Sequence, residues 1–218
     1  MNTLQLIKTE DGSHTIKNET TGDTYHSVHG ATQESQHVFL KNGLKFFLHE
    51  HPANQIKTLE VGFGTGLNAL LTLQQHTDIS IQYTTLEPYP LTAAFFEQLN
   101  YSGKSELLAM HKCDWNSPQK ISENFSLTKL QSTLEQAQLP KNFFDVVYFD
   151  AFAPNSQPEL WTPEVFSKIF NSMAKPSVFV TYCAKGQVKR DLKSVGFIIE
   201  SIPGPPGKRE MVRATKPA

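Results

Sequence analysis

The residues with the clearest chemical potential form a glycine-rich segment, Glu60-Val61-Gly62-Phe63-Gly64-Thr65-Gly66. Glycines directly after a strand let the backbone approach a ligand closely, and the amides of the following helix can face that ligand. Leu67 stands where the dinucleotide fingerprint has its third glycine, and no Lys-Ser or Lys-Thr pair follows as in a nucleotide triphosphate loop. The spacing therefore favours a nucleoside-containing cofactor over a nicotinamide dinucleotide. A tight turn without a ligand is the alternative.

Three acidic residues follow later predicted strands, at the sheet edge where ligands of open α/β sheets bind. Glu87 follows the second strand, about twenty residues past the glycines, where Rossmann-like folds hold ribose hydroxyls. Asp114 follows the third predicted strand and Asp150 the fourth. Each acid alone is equally well explained as a helix cap or a surface charge. Acids at consecutive strand ends, however, indicate one shared binding site.

Strands and helices alternate from residue 56 onward, which is typical of a parallel, doubly wound α/β sheet. The apolar runs predict strands at 56–61, 79–86, 107–113, 144–149, 178–182, 197–202 and 210–214. Helices are predicted at 67–75, 91–99, 162–173 and 187–194, and 122–138 is interpreted as helical or an insertion. Pro90 and Pro163 suit the first positions of two of these helices. The connection at 203–207 is too short for a crossover helix, so the last two strands are expected to be antiparallel.

The first fifty residues lack this alternation. Asp11-Gly12 lies between two short strand-like runs, 4–8 and 15–18, and predicts a hairpin turn. A short helix is predicted at 31–40. We therefore expect an N-terminal extension at 1–50 that packs on a main domain at 51–218.

Several segments resemble a single family. The most specific are the stretch that begins Asp150-Ala151-Phe152-Ala153-Pro154 and the stretch Gly207-Lys208-Arg209-Glu210-Met211. Tyr25-His26-Ser27 and Leu86-Glu87-Pro88-Tyr89 agree with them. Together with the glycine-rich segment they resemble the methyltransferase domain of the MnmC family of bacterial tRNA wobble-uridine enzymes, and its stand-alone form, MnmD. The resemblance extends roughly from residue 25 to residue 213.

This resemblance implies a class I, Rossmann-like methyltransferase fold, with a mostly parallel seven-stranded sheet, an antiparallel C-terminal strand and a small N-terminal extension. It implies S-adenosyl-L-methionine as the cofactor, with Asp114 at the adenine amino group. Tyr25 is expected to close over the cofactor. The full set of expected cofactor-binding residues is Glu60, Gly62, Gly64, Gly66, Asn68, Glu87, Asp114 and Tyr25.

The activity that the resemblance implies is methylation of the amine of 5-aminomethyl-2-thiouridine at tRNA wobble position 34, giving 5-methylaminomethyl-2-thiouridine. Asp150 is the expected catalytic residue, because a carboxylate there would orient the neutral amine and help to take its proton. A loop brace is the alternative role. The bifunctional relatives carry a flavin oxidase domain, whereas this sequence has no second G-x-G-x-x-G unit. We therefore expect neither FAD nor oxidase activity, and an acceptor made by another enzyme.

The charge distribution fits an anionic partner. The net charge is −1, yet residues 185–218 contain eight Lys or Arg and three Asp or Glu. A basic run of this kind is a solvated surface about as often as it is a binding surface. Together with the resemblance, it predicts contacts to phosphates of the tRNA anticodon stem-loop. Phe152 is expected either to stack on the wobble base or to pack in the core. The expected substrate and tRNA contacts are Phe152, Lys185, Lys208, Arg209 and Arg213.

Other function classes find little support in the sequence. Cys113 and Cys183 lie far apart and the eight histidines form no ligand pair, so no metal is expected. No apolar run reaches the length of a membrane span and the N-terminus is too polar for a secretory signal, so a cytoplasmic location is expected. Two alternatives stay open: a methyltransferase of the same fold that acts on an amine of a small molecule or protein, and a nucleoside- or RNA-binding domain without catalysis.

Overall fold

An N-terminal hairpin forms a two-stranded sheet of its own in the computed structural model, which describes residues 3–75 and 78–217. Its strands are β1 (Leu4–Lys8) and β2 (His14–Asn18), paired antiparallel. The turn falls at Asp11-Gly12 as predicted, and Gly12 has a φ of 84°, which a side chain disfavours. The predicted hairpin is confirmed.

A continuous helical segment follows and is longer than predicted. It consists of α1 (Ala31–Ser35), a π-helix (Gln36–Lys45) and α2 (Phe46–Glu50), whereas the sequence predicted a helix only over 31–40. Phe39 is fully buried with its ring centroid 5.2 Å from that of Tyr148 in the central sheet. The helical part of the first fifty residues therefore contributes to the core of the main domain.

The central sheet has eight strands in the order β5-β6-β4-β3-β7-β8-β10-β9. They are β3 (Gln55–Val61), β4 (Ser80–Leu86), β5 (Pro118–Ser122), β6 (Phe125–Leu130), β7 (Phe144–Phe149), β8 (Met173–Thr181), β9 (Ile198–Pro203) and β10 (Glu210–Lys216). Strands β6, β4, β3, β7 and β8 are parallel, and β10 is antiparallel to both β8 and β9. This is the expected Rossmann-like arrangement with its antiparallel C-terminal strand. The eighth strand is β5, which adds an antiparallel edge to β6.

The third parallel strand is not where the sequence analysis put it. A strand was predicted at 107–113, but all of these residues except Cys113 belong to α5 (Lys104–Lys112), on which Leu107 and Met110 are buried one helical turn apart. The strand is β6, in a region predicted as helical or an insertion, and its residues alternate between buried and partly exposed positions. Asp114 is exposed on the loop after α5, so its predicted place at a strand end is wrong.

The remaining helices flank the sheet. They are α3 (Leu67–Leu73), α4 (Ala93–Phe96), α6 (Pro163–Ser172) and α7 (Gly186–Ser194), with a 3₁₀ turn at Pro158–Leu160. The hydroxyl of Thr162 accepts a hydrogen bond from the Val165 amide and caps α6, where Pro163 occupies the first turn as predicted. The prediction for Pro90 is wrong, since α4 starts later with Thr92 as its N-cap.

Apolar layers cover both faces of the sheet. On one face Phe39, Leu44 and Tyr148 belong to the buried cluster under the π-helix, and on the other Phe149 and Phe166 belong to the cluster under α6. No helix in the described ranges is long and apolar enough to cross a membrane. Within the same ranges, no three His, Cys, Asp or Glu side chains are grouped as metal ligands would be.

Candidate active site

A cavity of about 620 Å³ opens at the carboxyl ends of the parallel strands, within the range of about 300–1,000 Å³ typical of ligand sites. Loops after β3, β4, β6, β7 and β8 line it, together with residues 22–28 of the N-terminal segment. The sequence-predicted residues that line it are Tyr25, Gly62, Gly64, Glu87, Asp150, Phe152 and Lys208. Ligands of open α/β sheets bind at this edge.

The glycine-rich loop is shaped by its contact with the end of β7. Gly62 has a φ of 96°, and a Cβ atom built on it would lie 2.7 Å from the backbone oxygen of Asp150. The amides of Gly62 and Phe63 both donate to the carbonyl of Leu86 at the end of β4. Only glycine combines this backbone conformation with so close an approach.

Glu87 faces the cavity, and two backbone amides hold its carboxylate. The Gly64 amide donates to Oε2 at 3.0 Å and the Tyr89 amide donates to Oε1 at 2.8 Å. Burial raises the pKa of Glu87, and the two amides counteract part of that rise. Burial and the nearby Glu87 carboxylate raise the pKa of Tyr25 to about 12, so its phenol stays a hydrogen-bond donor.

Asp150 follows β7 and forms the part of the cavity wall between the glycine-rich loop and the C-terminal strands. The side-chain amide of Asn68 on α3 donates to Oδ2 of Asp150 at 2.8 Å. Burial and the Glu34 carboxylate raise the pKa of Asp150 to about 7, against the opposing effects of Asn68 and Lys208. A carboxyl group with this pKa exchanges protons at neutral pH, as a general base must.

Beyond Asp150, an ion pair lines the cavity. The Lys208 ammonium donates to Oε1 of Glu34 at 2.6 Å and lies 3.8 Å from the ring centroid of Tyr182. Oε2 of Glu34 accepts the amide of Ser27 at 2.7 Å. From the sequence, Lys208 was predicted to contact tRNA and no role was predicted for Glu34 or Tyr182, because the contacts among these three residues depend on the fold.

Glu60, Gly66 and Asn68 lie behind the cavity wall rather than on it. Glu60 is fully buried, and burial raises its pKa well above the ordinary value. Its two carboxyl oxygens have no hydrogen-bond partner within residues 3–75 and 78–217, although Thr85 and Tyr83 are close to them. A direct cofactor contact for Glu60 therefore has no support in its position.

The N-terminal segment is tied to the glycine-rich loop through Thr65. Nε2 of His26 lies 2.7 Å from the Thr65 hydroxyl, and the Tyr101 hydroxyl donates to the same atom at 3.2 Å. Burial lowers the pKa of His26 to about 4, so its ring is neutral at physiological pH. Nothing in the spacing of these residues reveals this link.

Among the other predicted contacts, Phe152 is half-buried at the cavity with its ring edge-on to Tyr25 at 5.2 Å. Lys185 and Arg209 are exposed on loops next to the cavity-lining residues. Arg213 is different, because its guanidinium pairs with Glu200 and packs on the ring of Phe46, leaving its side chain 13% exposed. The prediction that Arg213 contacts tRNA is therefore corrected.

The cavity wall that Asp114 was expected to supply comes from another segment. Residues 132–135, which follow β6, line the cavity, whereas Asp114 is exposed and is absent from the lining. The signal that locates this wall is the alternation of Phe125, Leu127 and Lys129 on β6, which the sequence analysis read as part of a helix or insertion.

Comparison with known proteins agrees with this geometry. A family model described as S-adenosyl-L-methionine-dependent methyltransferase matches residues 81–217. The bifunctional protein MnmC of Pseudoalteromonas atlantica, named for tRNA 5-methylaminomethyl-2-thiouridine biosynthesis, is 30% identical over 217 residues, covering 87% of this chain and 30% of that protein. MnmC of Pseudomonas savastanoi pv. phaseolicola is 29% identical, covering 88% of this chain and 32% of its own length. The chain thus spans about a third of these relatives.

Solved structures share the whole fold. The crystal structure of MnmC2 from Aquifex aeolicus superposes with a TM-score of 0.83 at 25% identity, covering 100% of this chain and 72% of that one. Spermidine synthase from Thermotoga maritima, at 14% identity and a TM-score of 0.58, shares the fold alone. With most of its sheet inside the matched family region, this MnmC-like chain belongs to the family of S-adenosyl-L-methionine-dependent methyltransferases.

Proposed function

We propose that this protein transfers a methyl group from S-adenosyl-L-methionine to the amine of 5-aminomethyl-2-thiouridine at tRNA wobble position 34, giving 5-methylaminomethyl-2-thiouridine. The observation that carries the chemistry is Asp150, held by Asn68 in the cavity wall with a pKa of about 7. The substrate follows from similarity to relatives that are named for this modified nucleoside.

The cavity fits the cofactor. The glycine-rich loop brings backbone rather than side chains to the cavity, and the Glu87 carboxylate beside it suits ribose hydroxyls. Leu134 lines the same cavity and offers an apolar surface for a purine ring. When bound, S-adenosyl-L-methionine supplies an electrophilic methyl group. Tyr25 and Gly64 would then flank the cofactor on the side of the N-terminal segment.

The residues of the chain have to present a neutral amine, because a protonated amine has no lone pair for the displacement. In our proposal, the Asp150 carboxylate accepts a hydrogen bond from the acceptor amine, orients it, and takes the proton released as the new bond forms. Asn68 fixes the carboxylate by donating to one of its oxygens. The aromatic edge of Phe152 lies at the cavity and suits stacking on an unstacked wobble base.

The acceptor amine has to be made by a separate catalytic unit, and tRNA has to reach the cavity through contacts with its backbone. Lys185 and Arg209 are the exposed cations nearest to the cavity-lining residues in sequence, and we assign them to phosphates. Oxidase chemistry and FAD have no part in this proposed step. The tRNA anticodon stem-loop is the proposed partner.

The test separates chemistry from cofactor binding. We expect D150N to lower turnover about 100-fold or more on tRNA that lacks the modification, the usual effect of removing a general base, while calorimetry shows unchanged S-adenosyl-L-methionine affinity. D145N is the matched control, since Asp145 lies at the opposite end of β7 and accepts the amide of Lys57. Unchanged turnover in D150N would exclude the catalytic role.

The competing functions have their own readouts. Transfer of labelled methyl groups to small amines or proteins, with none to tRNA, would favour the other amine methyltransferase. Binding of S-adenosyl-L-methionine and tRNA without any methyl transfer would favour the non-catalytic domain. The proposal predicts label in tRNA alone.

A further inference from the structure

We propose that the Glu34–Lys208 ion pair positions Asp150 and balances the charge around its carboxylate. The pair lies on the side of the cavity where the acceptor amine enters. The inference rests on the proposed function, because it concerns how that reaction's base is maintained. Neither Glu34 nor Lys208 is assigned to the transfer itself.

The pair is held rigidly. Both oxygens of Glu34 are bound, one by the Lys208 ammonium at 2.6 Å and the other by the Ser27 amide at 2.7 Å. The Glu34 side chain is 5% exposed and that of Lys208 is 33% exposed, so water screens the pair far less than a surface pair. The ammonium also lies on the ring of Tyr182, at 3.8 Å from its centroid.

Tyr182 connects this pair to the backbone beside Asp150. Its hydroxyl donates to the carbonyl of Ala151 at 2.8 Å. The turn that carries Lys208 is fastened to the N-terminal segment a second time, since Nε2 of His37 lies 2.8 Å from the carbonyl oxygen of Pro203. Lys208 is thus fixed relative to Asp150 from both sides.

The order of the strands separates two sides of the cavity. The glycine-rich loop and Glu87 follow β3 and β4, on one side of β7, whereas Tyr182 follows β8 and Lys208 lies in the turn before β10, on the other side. Asp150 directly follows β7, between them. Because the cofactor is assigned to the first side, the ion pair lines the side left for the acceptor.

The groups around Asp150 come from every neighbouring element. Asn68 of α3, which donates to Asp150, is neutral. Glu60 of β3 and Tyr83 of β4 lie behind Asp150. On the other side are Tyr182, which follows β8, and the Glu34–Lys208 ion pair. Lys208 is the cation among these groups in the described part of the chain. It offsets the Glu34 carboxylate, which otherwise opposes the ionisation of Asp150.

The charge balance matters because of the reaction. The amine lone pair forms the N–C bond, the C–S bond breaks with its electron pair staying on sulfur, and the nitrogen then sheds a proton. That proton goes to the Asp150 carboxylate, which becomes a neutral acid. A nearby uncompensated Glu34 would leave less Asp150 ionised at neutral pH, and less amine could then be deprotonated.

The direct test follows the Asp150 carboxyl by carbon NMR in the full chain labelled at aspartate, with its signal assigned by its loss in D150N. We expect E34Q to lower the pKa of Asp150 and K208M to raise it, each by about one pH unit. The double variant E34Q/K208M removes one charge of each sign, so its titration should return close to that of the wild type. K208R should preserve the wild-type titration.

A second ion pair provides the matched control. Lys189 of α7 and Glu210 of β10 are 2.8 Å apart, belong to elements on the same side of β7, and do not line the cavity. K189M and E210Q should therefore leave the titration of Asp150 unchanged. Circular dichroism confirms that each variant is folded before its titration is read.

Activity supplies the second readout. The acidic limb of the pH profile of kcat/KM should move to lower pH in E34Q and to higher pH in K208M, in parallel with the NMR titration. An Asp150 titration that stays the same in both variants would overturn the inference even if the wild type methylates tRNA. Shifted titrations in a protein that never methylates tRNA would instead support the ion pair's effect and reject the proposed function.

Discussion

At the scale of single residues, two carboxyl groups, those of Asp150 and Glu60, lie beside the side chain of Asn68. Asn68 donates its amide group to Asp150, while its carbonyl oxygen has no donor within residues 3–75 and 78–217. Glu60 lies next to the Asn68 side chain, and the Glu60 carboxyl oxygens also lack partners in the described ranges. Burial favours the protonated form of Glu60, which has an O–H group to donate, so we interpret Glu60 as neutral and as a support for Asn68.

This interpretation predicts how stability depends on pH. Burial raises the pKa of Glu60 well above its ordinary value of 4.5, so the folded chain holds a proton that the unfolded chain releases. The stabilisation is fully present below the unfolded pKa and is lost as the pH rises through the folded one. Because E60Q cannot ionise, the Tm of the wild type relative to E60Q should fall as the pH rises above the ordinary glutamate pKa of 4.5.

The exposed Glu123 in the turn between β5 and β6 is the control for that experiment. E123Q should give a Tm difference from the wild type that varies little over the same range. A wild-type to E60Q difference that is constant with pH would show that Glu60 does not titrate as inferred.

The sequence predicted a site residue correctly where its place directly after a strand is enough to bring it to the cavity. Glu87 and Asp150 directly follow β4 and β7 as expected, and both line the cavity. Glu34 was missed because its importance depends on Lys208 and Tyr182, which reach it only through the fold. The sequence carried no spacing that pairs these three.

At the scale of elements, the loop after β3 and the end of β7 form one unit. The amide of Asp150 donates to the carbonyl of Val61, and the Cα of Gly62 packs against the carbonyl of Asp150. The loop proposed to receive the cofactor therefore also sets the position of the carboxylate proposed as the base. A change in one should disturb both.

Two alanine substitutions separate this contact from backbone strain. Gly62 and Gly12 both have positive φ, 96° and 84°, so alanine at either costs about 1–2 kcal/mol of stability. Only at Gly62 would the new Cβ collide with backbone, since the nearest atom at Gly12 is the Lys8 side chain at 3.7 Å. Calorimetry should show weakened S-adenosyl-L-methionine binding in G62A and wild-type binding in G12A. Equal affinities would contradict the account.

The sequence predicted six of the strands correctly, from the nearly apolar β7 in the middle of the sheet to β9 at its edge. The failure at α5 and β6 has a physical cause. The short run around Leu107 is apolar enough for either structure, and its length does not decide between them. The period of two in β6 was present, but a fully buried Lys129 at an inward position obscured it.

At the scale of the whole molecule, the cations near the cavity divide into two groups. Lys208, Lys189 and Arg213 are engaged in ion pairs with acidic side chains. Lys185 and Arg209 are exposed, and of their two side chains only that of Lys185 has a hydrogen-bond partner among the described residues, the side chain of Asn155. A tRNA backbone would therefore meet fewer cations than the basic C-terminal sequence suggested.

The salt dependence of tRNA binding tests this smaller surface. K185Q/R209Q should weaken binding and lower the slope of log affinity against log salt by about 1.5, the sum expected for two phosphate contacts. K120Q/K141Q is the matched control, because Lys120 lies on the edge strand β5 and Lys141 precedes β7, at the opposite end from the cavity. Equal slopes in the two double variants would remove Lys185 and Arg209 from the interface.

The central claim, methyl transfer to the wobble amine of tRNA, is tested most directly by nucleoside mass analysis of tRNA from cells that lack this protein. The account predicts that 5-aminomethyl-2-thiouridine accumulates there, and that the purified protein with S-adenosyl-L-methionine converts it to the product heavier by one methyl group, whereas D150N does not. An unchanged set of wobble nucleosides in those cells, with no mass gain in the purified reaction, would contradict the account.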